Sequence, residues 1–83
     1  MLMTSAQVRM ARAALNWTVR DLAEAASLHR NTISNIETGR YAGDTKSLAA
    51  IAAVFKRAGI EFIDENGGGP GVRLQKSTSK RRK

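Results

Sequence analysis

Residues 18–38 hold two short runs of helical periodicity separated by only three residues, Ser27-Leu28-His29. In the first run Val19, Leu22, Ala23 and Ala26 repeat the spacing of an amphipathic helix, and Thr18 just before them is a good N-cap. The second runs from about Arg30 to Thr38, with Ile33, Ile36 and Glu37 on one face, and Gly39 follows as a left-handed terminator. Two helices joined by so short a turn are the most informative feature of this chain.

The flanking segments extend the pattern. A helix starting near Thr4, with Gln7 three residues on, fits a capping box, and Val8, Ala11, Arg12 and Leu15 form its inward stripe. The loop from Arg40 to Gly43 leads to Asp44, an expected N-cap; Leu48, Ile51, Ala52 and Phe55 then mark the inward face of a fourth helix that Gly59 ends. Beyond it the period falls to two, in Ile60-Glu61-Phe62 and again in Val72-Arg73-Leu74, with Asn66-Gly67-Gly68-Gly69-Pro70-Gly71 between them. That is a β hairpin with a glycine-rich loop. A lone hairpin is marginal in water. It needs support from the helices or from a second chain; with the helical stripes committed to their own core, a second subunit is the expected cover for Ile60, Phe62, Val72 and Leu74. The units expected are residues 1–59, a hairpin over 60–74 that can serve dimerisation, and a disordered basic tail over 75–83.

Composition excludes several function classes. The 83 residues allow one small domain; there is no Cys and a single His. Neither a thiolate nucleophile nor a metal cluster can be assembled, and the carboxylates lack ligand spacing. The glycine run lacks the Lys-Ser/Thr of a phosphate-binding loop. No enzyme activity, cofactor or metal is expected. No apolar run approaches a membrane span, and the N-terminus does not read as a secretory signal, so a cytoplasmic, nucleoid-associated location is expected. The formal charge of +7 points to a polyanionic partner. Five of the fourteen basic residues, however, lie in the acid-free stretch 75–83, leaving nine basic against seven acidic residues elsewhere. The case for nucleic acid rests on pattern rather than net charge.

That pattern is the outer face of the second short helix: Arg30, Asn31, Ser34, Asn35 and Thr38, with no acid and no long aliphatic side chain. Asn, Ser and Thr are mediocre helix formers, and a face selected for solubility more often uses Glu and Lys. Arg suits guanine edges, Asn suits adenine, and Ser or Thr suit either. On residue types alone an ordinary solvated face fits equally well.

The stretch Leu22-Ala23-Glu24-Ala25-Ala26-Ser27-Leu28-His29-Arg30-Asn31-Thr32-Ile33-Ser34-Asn35-Ile36-Glu37-Thr38-Gly39-Arg40 resembles the helix-turn-helix of the phage Cro and repressor family, the xenobiotic-response-element regulators. The matching positions are Leu22, Ala23, Leu28, Ile33, Ile36, Glu37 and Gly39, and the likeness runs from about Gln7 to Gly59. Ser27 departs from the Gly usual in the turn. The resemblance implies a mainly α, four-helix bundle-like domain, here carrying a small C-terminal β hairpin. It also implies a transcriptional regulator that binds double-stranded DNA; because a single recognition helix makes few base contacts, a homodimer on an inverted repeat is expected. It places Arg30, Asn31, Ser34 and Asn35 at base edges. Thr18, His29, Thr32, Thr38, Arg40 and Tyr41 fall at the DNA backbone.

Arg12 and Glu37 are charges of opposite sign at positions where apolar residues are expected, which points to an ion pair at the edge of the core; the resemblance implies the same pair. Trp17, at the joint of two helices, reads as core. The rival readings are an antitoxin that binds a protein toxin and represses its own operon, and a general nucleic-acid-coating protein acting through the tail.

Overall fold

The computed structural model describes residues 3–75. Four helices precede a hairpin: α1 (Ser5–Ala14), α2 (Val19–Ala26), α3 (Arg30–Glu37), α4 (Thr45–Arg57), β1 (Ile60–Ile63) and β2 (Gly71–Leu74). The expected disordered tail lies outside the described residues, apart from Gln75.

Local chemistry sets the helix boundaries. Thr4 and Gln7 form the expected capping box. Thr18 forms a second one with Asp21, at 3.0 and 2.9 Å. Asp44 accepts from the Ser47 amide, and this bond holds its carboxyl below the ordinary aspartate value. α3 ends at Glu37, one residue earlier than expected, because Thr38 caps it and Gly39 turns left-handed at φ +80°. Gly43 is needed twice over: its φ is +88°, and a Cβ there would press on Leu48 and Ile36 at 3.1–3.2 Å.

One core joins all four helices to the hairpin. Val8, Leu22, Ile33, Ile51 and Phe55 are fully buried, and Ile60 of β1 is nearly so. Each contributes about 1.5–3 kcal/mol by leaving water. Phe55 lies between Trp17, stacked at 5.9 Å, and Phe62, edge-on at 6.1 Å. Val54 rather than Ala52 completes the buried stripe of α4. Val54 and Ala52 flank the Leu48–Ile51–Phe55 line on opposite sides, and the core covers the Val54 side while Ala52 stays half-buried.

β1 and β2 pair antiparallel, with Ile60 opposite Leu74 and Phe62 opposite Val72. Phe62 and Val72 pack on the helical core, while Leu74 stays about half exposed at 51%. The apolar face of the hairpin is therefore covered within the chain, against the expectation that the helices had no surface left for it. α1 makes this possible through Gln7, which is completely buried. Its Oε1 accepts from the Thr4 amide at 2.9 Å, and its Nε2 donates to the carbonyls of Ile63 at 3.1 Å and Gly71 at 2.9 Å. One side chain thus caps α1 and ties it to both strands. Among the described residues, no helix is long and apolar enough to cross a membrane. No group of three or more metal-ligating side chains occurs among them.

Candidate nucleic-acid interface

α2 closes on Ser27, which takes the left-handed conformation at φ 57°, ψ 44°. The Leu28 amide donates to the Ala23 carbonyl at 2.9 Å and the Ser27 amide to Glu24 at 3.2 Å. This paired closure normally uses glycine; Ser adopts it here at the cost of Cβ crowding. The geometry of the turn is retained despite the substitution. His29 then starts α3 as its N-cap, its Nδ1 accepting from the Asn31 amide at 3.0 Å.

α3 presents two faces, as its sequence suggests. Ile33, Ile36 and Glu37 are buried. Arg30, Asn31, Ser34 and Thr38 are exposed, and Thr32 and Asn35 are half-buried at the margins. Thr18, His29, Arg40 and Tyr41 are also exposed. The Tyr41 amide donates to the Asn35 carbonyl at 3.2 Å, which folds the following loop back onto the end of α3.

The starts of α2 and α3 converge. Thr18, Val19 and Arg20 from one, with Arg30, Asn31 and Ser34 from the other, line an open depression of about 540 Å³. No carboxylate is among the described residues lining it, and two guanidinium groups are. Two helix N-termini add partial positive charge at the same place. Arg20 was not singled out in the sequence. It sits opposite the apolar stripe of α2, where a lone Arg looks like ordinary surface; only the approach of α3 gives it neighbours.

The back of α3 is held by α1. Arg12 donates through Nε to Glu37 Oε2 at 2.8 Å and through Nη2 to Oε1 at 3.0 Å, and its Nη1 donates to the Trp17 carbonyl at 2.9 Å. The hydrogen bond to Glu37 raises the Arg12 pKa above its ordinary value. Arg9, one turn earlier, donates to the Glu37 carbonyl. The expected pair thus links α1 to the helix bearing the polar face.

Comparison with curated proteins finds no match. The profile of the family described as Helix-turn-helix matches residues 8–62. That span runs from the buried Val8 of α1 to Phe62 of β1, and so takes in both short helices, the turn at Ser27 and the Arg12–Glu37 pair. The family binds DNA, and its members are typically non-enzymatic. With four helices in this order, the turn geometry kept and more than half of the chain matched, the protein belongs to the Cro- and repressor-type helix-turn-helix family of DNA-binding transcriptional regulators.

Proposed function

We propose that α3 lies in the major groove of a double-stranded operator, with Arg30, Asn31, Ser34 and Asn35 toward base edges. Thr18, His29, Thr32, Thr38, Arg40 and Tyr41 meet the flanking phosphates. The observation that carries this reading is the acid-free polar face of α3 set beside two converging helix N-termini and Arg20. Phosphate contacts fix register and base contacts fix sequence. One short helix makes few base contacts, and each good one discriminates by only about 1–3 kcal/mol. A homodimer on an inverted repeat, with half-sites about 34–36 Å apart, supplies the missing discrimination. Selection from random duplexes tests this directly. An enriched inverted repeat supports both the readout and the symmetry; a single enriched half-site would remove the symmetry, and no enrichment would remove specific readout.

A further inference from the structure

We propose that Val19 and Arg30 form a subsite for the 5-methyl group of a pyrimidine next to a guanine, so that the chain distinguishes thymine or 5-methylcytosine from uracil or cytosine. The proposal rests on the major-groove reading above and deepens it by assigning one base contact outside α3.

The depression between the starts of α2 and α3 has an apolar wall. Val19, the first residue of α2, is the one apolar side chain among the described residues lining it; Thr18, Arg20, Arg30, Asn31 and Ser34 supply the rest. Val19 is half-buried: it packs on the hydrophobic core and also lines the depression. Both sides of the depression are held in place. Thr18 and Asp21 exchange hydrogen bonds of 2.9 and 3.0 Å across the first turn of α2. His29 accepts from the Asn31 amide at 3.0 Å where α3 begins. The branched Cβ of valine leaves its side chain few rotamers, so the wall is formed before DNA arrives.

A single half-exposed valine is ordinary on a protein surface. This one lies on the face turned toward DNA, in the same depression as two guanidinium groups. Valine is a poorer helix former than Ala, Glu or Lys, so helix formation does not select it. Facing a phosphate, it would gain nothing. The base edges of the major groove carry donors, acceptors and one apolar group, the thymine 5-methyl. 5-Methylcytosine bears the same methyl on the same ring atom. Arg30, exposed at the first position of α3, has a guanidinium that suits guanine O6 and N7. Its methylene stem is apolar. With the guanidinium on guanine, that stem and Val19 offer two apolar surfaces to the methyl of the neighbouring pyrimidine. Thr18 and Arg20 are left for phosphate.

Operators selected from random duplexes supply the probe for the full chain. In each half-site, one thymine next to a guanine should matter through its methyl. Replacing it with deoxyuridine removes only that group and should raise the Kd about fourfold, as burial of one CH2-sized group implies. At the same position, paired with guanine, 5-methylcytosine should bind better than cytosine by a similar factor. Val19→Ala keeps a strong helix former and should bring both ratios near one, with little change in the Kd for the deoxyuridine duplex. Each ratio is taken within one protein, so a change in folded fraction cancels and lost packing at Val19 does not imitate the result. Arg30→Ala should erase the preference for the adjoining guanine in a repeated selection; a guanine preference that survives would overturn the pairing of the two residues. Equal binding of thymine and deoxyuridine duplexes at every position would overturn the subsite and leave specific readout intact. A thymine preference retained by Val19→Ala would also overturn it, by placing the methyl against another side chain. So would a thymine preference that 5-methylcytosine does not share, which would make duplex shape its source. Selection that enriches no sequence would remove the major-groove reading and the subsite with it.

Discussion

The guanidinium of Arg12 grips the carboxylate of Glu37 with two parallel hydrogen bonds, at 2.8 and 3.0 Å, from α1 to the buried back of α3. Glu37 keeps only 6% of its side chain exposed and Arg12 keeps 25%. The same guanidinium holds the Trp17 carbonyl just before α2. One side chain thus fixes α3 relative to the segment that leads into α2, and the angle of the polar face depends on it.

Glu37→Ala should therefore lower the chemical unfolding midpoint and weaken DNA binding although Glu37 does not face DNA. Stranding a buried charge costs about 3–5 kcal/mol. The partial exposure of Arg12 places the expectation at the low end. Small domains have only about 5–15 kcal/mol in total, so the loss would be plain in a denaturation curve. Arg12→Met combined with Glu37→Leu should recover much of it, because a well-packed apolar pair avoids both desolvation penalties. A single-variant loss below about 0.5 kcal/mol, typical of surface changes, would show that the pair is not anchoring α3.

Base readout by α3 is testable by comparing two DNAs. Asn31→Ala or Asn35→Ala should lose about 1–3 kcal/mol on the selected operator and little on random duplex. Asn31 is exposed and Asn35 half-buried, so the Asn31 variant should leave thermal stability unchanged. Equal losses on both DNAs would assign these side chains to the backbone.

Arg20 should act the other way. Its place beside Thr18 and Arg30 suits a phosphate rather than a base. Each neutralised phosphate contributes about −0.9 to the slope of log affinity against log salt. Arg20→Gln should flatten the slope by about that amount and leave the preferred sequence intact. A changed sequence preference, or an unchanged slope, would rule out the phosphate role.

Ser27 provides a test of backbone strain. A left-handed non-glycine residue costs about 1–2 kcal/mol. Glycine would remove the strain but loses more chain entropy on folding, about 0.5–1 kcal/mol. Ser27→Gly should thus raise stability slightly, by about 0.5 kcal/mol, with DNA binding unchanged. Ser27→Val should destabilise, since a branched Cβ fits this conformation worst. Thermal melts of the two variants against wild type would show the order.

What the sequence discloses here is what local rules govern. The caps at Thr4, Thr18 and Asp44 and the terminators at Gly39 and Gly59 depend on neighbours within a few residues, and all are where the spacing puts them. The two faces of α3 are legible for the same reason. Other features depend on distant partners. Whether Val54 or Ala52 is buried is settled by which flank of α4 the rest of the core covers, not by the period. Arg20 gains meaning only when α3 approaches. The cover of the hairpin is not legible in the sequence, because a stripe of Val8, Ala11, Arg12 and Leu15 looks fully used, yet α1 also meets β2 through the polar Gln7. A glutamine with one evident local role gives no sign in sequence of a second, distant one.

Gln7 supports the last prediction. Its side-chain amide both accepts and donates: Oε1 takes the Thr4 amide, and Nε2 reaches the Ile63 and Gly71 carbonyls where the two strands meet. Gln7→Met keeps roughly the same length but removes every one of these bonds. Buried polar groups left without a partner cost about 1–3 kcal/mol. The loss should be concentrated in the hairpin, where amide exchange at β1 and β2 should quicken more than at α2. Gln7→Glu should be worse near neutral pH, although its oxygen can still cap α1. It replaces the donating amide with a charged acceptor, buried and facing two carbonyl oxygens. Both the burial and the lost donors favour the protonated acid, so its folded-state pKa is raised above the unfolded value. A raised folded pKa means that the folded state binds more protons, so stability relative to wild type recovers as pH falls through that pKa and is lost as it rises. Wild-type Gln7 has no such titration. Unfolding curves of the three proteins at neutral and mildly acidic pH should therefore rank wild type above Met above Glu at neutral pH, with the Glu variant alone gaining on wild type in acid. A Glu variant whose deficit is the same at both pH values would mean that Gln7 does not donate to the strands.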